Sequence, residues 1–159
     1  MIKVKIIALG KLKEDYLKKA CEEYKKRLSR YCSLEIEEIT PVKLPDSPNS
    51  AQIKTALEKE AELIEKNIPK GAFTVAFCIE GNEISSEKFS EFLSEKSNEG
   101  AKICFIIGSS YGLDERIKNT ADLKLSLSQM TFPHQLFRVM CLEQIYRAFK
   151  INEGGTYHK

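Results

Sequence analysis

The chain has 159 residues, of which 42% are hydrophobic and 30% charged, with a formal net charge of +2. That length predicts one domain over residues 1–159, with a core large enough to need no disulfide or metal staple. No apolar run approaches the roughly 18 residues of a membrane span, and the opening "MIKVKIIALGKLKEDY" is broken by Lys3 and Lys5 and lacks a small-residue cleavage site, which excludes a secretory signal and predicts a cytoplasmic protein.

The small net charge hides an asymmetry. Residues 1–30 hold ten Lys or Arg against four acids, residues 31–100 hold seven against fourteen, and residues 101–159 hold eight against five. Basic ends around an acidic middle fit a patch that faces a polyanion, although a solvated helix face has the same composition. The five cysteines form no C-x-x-C pair and mostly sit in apolar runs. They are therefore expected as buried reduced thiols, with no metal site.

In chain order, "IKVKIIAL" (2–9) alternates and then becomes continuously apolar, as a strand with a buried centre does. Leu17, Ala20, Cys21, Tyr24, Leu28 and Tyr31 then recur at helical spacing, leaving Lys18, Lys19, Glu22, Lys25 and Lys26 for solvent. "LEIEEIT" (34–40) predicts a second strand, and "PVKLPDSPNS" (41–50) a proline-rich connection ending in Asn49 or Ser50 as a helix N-cap. A helix follows through Ile53, Leu57, Ala61, Ile64 and Ile68. "AFTVAFCIE" (72–80) and "KICFII" (102–107) are apolar throughout, as strands covered on both faces are, with a helix over Phe89, Phe92 and Leu93 between them. "GSSYGLDERI" (108–117) is expected as a turn, "ADLKLSLS" (121–128) as a fifth strand, and a long last helix starts near Pro133. Alternating strands and helices predict an α/β fold with a mostly parallel sheet and helices on both faces.

In such a sheet ligands bind where the loops leave the carboxyl ends of the strands. Three loops qualify: "EGNE" (80–83), "GSSYG" (108–112) and "SQMTFP" (128–133). Gly108 and Gly112 would allow positive φ and close backbone approach. Neither a Walker pattern nor G-x-G-x-x-G occurs, which argues against a phosphate-cradling NTPase and a standard dinucleotide fold. The last helix places Phe137, Cys141, Leu142, Ile145, Ala148 and Phe149 on one face around Arg138, and its other face also carries Val139, Met140 and Tyr146. A helix apolar nearly all round must be covered nearly all round. A second subunit supplies that cover economically; the alternative is a core helix whose Arg138 pairs with a buried acid. The tail "NEGGTYHK" presents Tyr157, His158 and Lys159, a base-stacking ring, a proton acceptor and a cation, although many such tails merely fray. No spacing supports a Ser-His-Asp or Cys-His arrangement, so an enzyme built this way calls for a bound organic cofactor.

"ALGKLKEDYLKKACEEYKKRL", "FIIGSSYGL", "LSLSQMTFPHQLFRVMCLEQIYRAFKI" and the terminal "YHK" together resemble the small bacterial methyltransferases of the SPOUT class that modify pseudouridine at N3 in large-subunit (23S) ribosomal RNA, the ribosomal RNA large subunit methyltransferase H family. The likeness spans essentially the whole chain. It implies a C-terminal trefoil knot, a homodimer, and S-adenosylmethionine as cofactor, contacted at the positions of Phe77, Gly108, Leu127, Ser128, Gln129, Met130, Thr131 and Phe132. The family usually shows a leucine where Phe77 stands and a second glycine where Ser109 stands. By the same resemblance Tyr157, His158 and Lys159 complete a composite active site at the dimer interface and hold the RNA. His158 is then the candidate general base, Arg138 a candidate stabiliser of charge on the base carbonyls, and Lys11, Lys13, Lys18 and Lys19 candidate phosphate contacts on 23S rRNA or the ribosome. The alternatives are a non-catalytic RNA-associated module and an enzyme that uses another adenosine cofactor on a small metabolite.

Overall fold

The computed structural model describes residues 1–158; Lys159, expected in the tail motif, lies outside the described residues. The elements run β1 (Ile2–Leu9), α1 (Asp15–Leu28), β2 (Cys32–Ile39), α2 (Ser50–Asn67), β3 (Phe73–Glu83), α3 (Ser86–Asn98), β4 (Lys102–Ile107), α4 (Glu115–Thr120), β5 (Leu123–Ser126) and α5 (His134–Asn152). The strands form one five-stranded sheet in the order β2-β1-β4-β3-β5, every pair parallel, as the alternation of elements predicts.

The two-residue period of a strand divides the core. Val4, Ile6 and Ala8 of β1 join a cluster with Cys21 of α1, Leu93 of α3 and Leu142 and Ile145 of α5. Ile7 and Leu9 face the opposite way, toward Ala61 and Ile64 of α2 and Ile117 of α4. Helices α1, α3 and α5 therefore cover one face and α2 and α4 the other, so β1 and β4 had to be apolar on both sides. The N-cap of α2 is Asn49: its Oδ1 accepts from the Gln52 amide at 2.8 Å, while Gln52 Oε1 accepts from the Asn49 amide at 2.9 Å.

Three boundaries differ from expectation. The second strand starts two residues earlier than its alternating core, at Cys32, because β1 pairs with it from Ile2 onward. The segment expected as a plain turn after β4 runs into α4, a six-residue helix too short to show a period, capped by Asp114 Oδ1 accepting from the Arg116 amide at 2.8 Å. β3 is longer and interrupted: its pairing with β5 shifts between Phe77 and Asn82, so that Cys78–Gly81 bulges out before Asn82 and Glu83 rejoin Leu125 and Ser126. Gly81 crosses so close to β5 that a Cβ there would lie 2.8 Å from the Leu125 backbone, which no side chain tolerates.

Helix α5 lies between α1 and α3. Cys141, Leu142, Ile145 and Ala148 are fully buried against the sheet. Phe137, Val139, Tyr146 and Phe149 are half-buried around them, and Tyr31 stacks on Phe149 with ring centroids 5.4 Å apart. Leu136 keeps 38% of its surface exposed, so the first turns of α5 are less covered than its middle. Arg138 is 3% exposed; its Nη1 reaches Glu38 Oε2 of β2 at 2.5 Å and its Nη2 donates to the Gly10 carbonyl at 2.8 Å. The guanidinium thus ties α5 to the ends of β1 and β2.

Glu38→Ala removes the acidic partner of that buried cation and is expected to lower unfolding free energy by about 2 kcal/mol, in the range for a hydrogen bond to a charged group. The control is Glu35→Ala, whose carboxylate meets Lys5 at 3.0 Å but is 63% exposed; exposed pairs contribute about 0–1 kcal/mol. Urea denaturation of the two variants compares them, and equal losses would show that the Arg138 pair does not hold α5 in place.

Candidate active site

The carboxyl ends of β3, β4 and β5 meet at a cleft of about 770 Å³, within the usual small-molecule range of about 300–1,000 Å³. Its walls come from three stretches far apart in sequence: Phe77–Glu80, Ile107–Leu113 and Leu125–Ser128, continued by Met130–His134. Of the residues proposed for cofactor contact, Phe77, Gly108, Leu127, Ser128, Met130, Thr131 and Phe132 line this cleft together. Gln129 is exposed and is not among the lining residues. The structure also brings in Ile79 and Lys118, which the sequence did not single out, together with His134 and Phe137 from the start of the last helix. Lys118 escaped because it sits on α4, the helix read as a turn. His134 and Phe137 carried a signal, their place in the first turn of the helix that follows Pro133.

Each wall is held by short-range chemistry. Gly112 has φ +84°, and a Cβ on Gly108 would lie 2.5 Å from the Gly112 carbonyl oxygen, so the loop folds tightly only with glycine at both positions. On the wall after β5, Ser126 Oγ donates to the Ser128 carbonyl at 2.9 Å and Ser128 Oγ accepts from the Met130 amide at 3.0 Å. These two serine bonds fix the backbone without a regular element. Phe77 is 8% exposed; its ring stacks on Phe105 at 5.9 Å and meets Phe137 edge-on at 5.2 Å. The ring is therefore part of the core at the floor of the cleft.

The cleft carries little free charge. Lys118 Nζ contacts Glu80 Oε1 at 2.6 Å. Burial opposes the Lys118 charge, but the Glu80 carboxylate outweighs it and raises the pKa, while the bond from Lys118 holds the Glu80 carboxyl below its ordinary value. His134 is pushed down, first by burial and then by the Arg138 and Lys13 cations, which keeps it neutral near pH 7. Burial raises the Cys78 thiol, which therefore stays protonated. Among the described residues no cluster of His, Cys, Asp or Glu could hold a metal ion.

The tail does not enter the cleft of its own chain. It turns back on α5 and α3. Tyr157 meets Tyr146 edge-on at 5.0 Å, its hydroxyl donates to Glu143 Oε1 at 3.2 Å, and the Arg147 guanidinium lies 4.9 Å from its ring centre. Burial first, then Tyr24 and Glu143, push the Tyr157 hydroxyl far up, so it acts as a donor. His158 stands between Arg147 Nη1, 3.1 Å from Nδ1, and Glu87 Oε1, 2.7 Å from Nε2. An arginine can only donate, so Nδ1 is the acceptor and Nε2 carries the proton toward Glu87. Arg138 also stands apart from the lining residues, engaged by Glu38 and Gly10.

Lys11, Lys13, Lys18 and Lys19 lie on the β1–α1 connection and the first turns of α1, with Lys11, Lys13, Lys18 and Lys19 all open to solvent. None of the four makes an ion pair among the described residues, whereas Lys25 and Arg27 further along the helix are paired with Glu22 and Glu23. The Lys13 amide donates to Gln135 Oε1 at 2.8 Å, which docks this basic segment onto the start of α5.

Residues 2–158 match the family described as "Predicted SPOUT methyltransferase". The chain is 49% identical over 157 residues to the ribosomal RNA large subunit methyltransferase H of Clostridium tetani, covering 98% of this chain and 99% of that one. It is 46% identical over 159 residues to the protein of the same name from Streptococcus equi subsp. zooepidemicus, covering 99% and 100%. Among solved structures, a probable methylase family protein from Haemophilus influenzae superposes with a TM-score of 0.53 at 14% identity, over 96% of this chain and 67% of that one. The tRNA (m1G37) methyltransferase of Aquifex aeolicus does so with 0.51 at 17% identity, over 91% and 69%. With a full-length family match, close relatives at full coverage and a parallel sheet that superposes on methyltransferases of known structure, this chain belongs to the SPOUT methyltransferase family.

Proposed function

We propose that the chain is an S-adenosylmethionine-dependent methyltransferase that methylates N3 of a pseudouridine in the 23S rRNA of the large ribosomal subunit, acting as a homodimer in the cytoplasm. The observation that supports it most is the convergence of Phe77–Glu80, Gly108–Leu113, Leu125–Ser128 and Met130–Phe132 on one cleft in a SPOUT chain. The names of the relatives supply the ribosomal RNA class.

The donor set fits an adenosine cofactor. The cleft is lined mostly by apolar side chains and by irregular backbone, the combination that takes a purine by stacking and edge hydrogen bonds. Leu127, Ser128, Met130, Thr131 and Phe132 would hold it from one side and Gly108 from the other, over the Phe77 ring. S-adenosylmethionine, when bound, supplies a methyl group already activated by its sulfonium. The protein then has to orient the base and remove a proton, and orientation carries much of the acceleration. The imide N3–H of pseudouridine must lose its proton. His158 accepts it at Nδ1, its unprotonated nitrogen, once Arg147 no longer donates there. Glu87 on Nε2–H fixes the tautomer and stabilises the imidazolium that forms.

Because the tail lies outside the cleft of its own chain, this reading has Tyr157 and His158 serve the cleft of a partner subunit, with Lys159 near the RNA. The exposed Leu136 and the less covered start of α5 support a two-fold contact there. The trefoil threading belongs to the same proposal and is supported by the family match alone. Arg138 remains a candidate for the base carbonyls only through a change of partners, since both of its ends are engaged.

The direct test is transfer of labelled methyl from S-adenosylmethionine to ribosomes lacking the modification, with free ribosomal RNA in parallel, followed by nucleoside mass analysis. Label in N3-methylpseudouridine is expected; cofactor binding without any label would show that the acceptor is wrong. His158→Ala is expected to lower turnover by about 10²–10⁴-fold, the usual contribution of general base catalysis, with cofactor and ribosome affinity retained. An unchanged turnover would remove His158 from that role. Replacing Lys11, Lys13, Lys18 and Lys19 by Ala is expected to flatten the dependence of ribosome binding on log salt by up to about 0.7–0.9 for each phosphate that is no longer neutralised. An unchanged slope in filter-binding titrations would make these lysines a solvated face.

A further inference from the structure

One role in the proposed chemistry is left without a residue. When N3 of a uracil ring loses its proton, negative charge spreads onto the two carbonyl oxygens that flank it, and an aligned donor at either oxygen lowers the barrier. Arg138 is the residue expected there from the sequence, but its Nη1 and Nη2 are held by Glu38 and the Gly10 carbonyl, its Nε is buried, and it does not line the cleft. One turn earlier on the same helix stands His134, which does.

His134 ends the wall that runs from Met130, so it follows directly on the segment proposed to hold the cofactor. On its other side is the lysine-bearing segment between β1 and α1, docked by the Lys13 amide on Gln135 at 2.8 Å. The imidazole packs over Gly10, where a Cβ would come within 3.7 Å of Nε2. It therefore stands between the cofactor wall and the segment proposed to meet RNA phosphates, which is where an acceptor base has to lie. Its backbone is fixed from both sides, by Gln135 one residue on and by Arg138 one turn on. Yet its ring has no hydrogen-bond partner among the described residues; burial and the positive charges of Arg138 and Lys13 are what act on it, and they lower its pKa. A neutral imidazole has one N–H to give. Lys118 and Glu80, also on the cleft walls, are spent on each other.

We propose that His134 is a catalytic residue of the cleft: its imidazole donates a hydrogen bond to a carbonyl oxygen beside N3 of the acceptor base and stabilises the imidate formed when that nitrogen is deprotonated. The inference rests on the proposed methylation of pseudouridine. The N3–H bond breaks, its proton goes to His158, and the electron pair is shared between N3 and the adjacent oxygens. N3 then takes the methyl group as the sulfonium becomes a thioether, while His134 keeps its own proton throughout. A neutral donor suits this task better than a cation, because it does not repel the sulfonium that faces the same base; neutral imidazoles polarise carbonyls in this way in other enzymes. Arg138 then acts at a distance: it anchors α5, and its charge disfavours a second cation on His134.

The test compares His134→Leu, which cannot donate, with His134→Gln, which keeps an N–H donor, in the full-length protein. The single-turnover rate of methyl transfer to ribosomes lacking the modification is read at saturating ribosome and S-adenosylmethionine, alongside cofactor affinity by calorimetric titration and ribosome affinity by filter binding. His134→Leu is expected to lower the transfer rate about 10²–10³-fold, the usual cost of one lost oxyanion donor, with both affinities unchanged. His134→Gln is expected to recover about tenfold or more of that loss. Thermal melts check the fold of each variant, with His134→Ala in place of Leu should the Leu variant melt early. A Leu variant that transfers methyl at the wild-type rate would overturn the proposal. So would a rate loss matched by an equal loss of cofactor affinity, which makes His134 a cofactor contact, or a Gln variant no faster than Leu, which makes the residue structural. Wild-type protein that labels no ribosome would instead remove the pseudouridine reading, and this inference with it, whereas labelling by wild type and by the Leu variant alike removes His134 alone.

Discussion

The buried guanidinium of Arg138 is the constraint on which the arrangement of this molecule depends. A cation at 3% exposure must find an acid and a carbonyl, and here it finds Glu38 at the end of β2 and Gly10 just past the end of β1. Those two partners lie at the carboxyl edge of the sheet, so satisfying the charge fixes where α5 begins. Pro133 and His134 follow as the last wall of the cleft, and the Lys13 amide docks on Gln135 one residue later. The apolar stripe of α5 packs it onto the sheet, but apolar packing is nearly indifferent to a slide along the helix axis. A bidentate polar contact is not indifferent, because displacement would strand the charge.

The same edge explains why a cleft forms there. Parallel strands all deliver their outgoing loops to one end, and β3 adds to this by bulging at Cys78–Gly81 before rejoining β5. Three loops then share one space without a helix between them. Their backbones are set by local devices: the Gly108 and Gly112 pair, the serine bonds at Ser126 and Ser128, and the Phe77 ring wedged between Phe105 and Phe137. The cleft is therefore shaped by backbone more than by charge. Among the described residues the two histidines stand apart: His134 lines the cleft, its pKa lowered by burial and two cations, and His158 is held between Arg147 and Glu87 on the far part of α5.

Much of the fold was legible in the residues. β1, β3 and β4 announced themselves as runs apolar on both sides, α1 and α2 through their spacing, and α2 through its Asn49 cap. Misreadings fell where an element is too short or too irregular for periodicity to show: α4, with six residues, and the far end of β3, whose pairing resumes after a bulge. The cleft loops were legible as three separate glycine- and serine-bearing segments. Lys118 was not, since its helix was invisible.

The sequence by itself determined the alternation of elements, the two-sided burial of the central strands, the unusual apolarity of α5 and, through its motifs, the likeness to a family. These are local properties, written in spacing and side-chain type. Only the tertiary structure decided which acid neutralises Arg138, that Phe77 belongs to the core at the base of the cleft, that the buried Glu60 accepts from the Val42 amide, and that His158 rests between Arg147 and Glu87. Each of those pairings joins residues far apart in the chain, or a side chain to a backbone atom. Such pairings are fixed by the common burial of whole elements and leave no periodic trace in the chain.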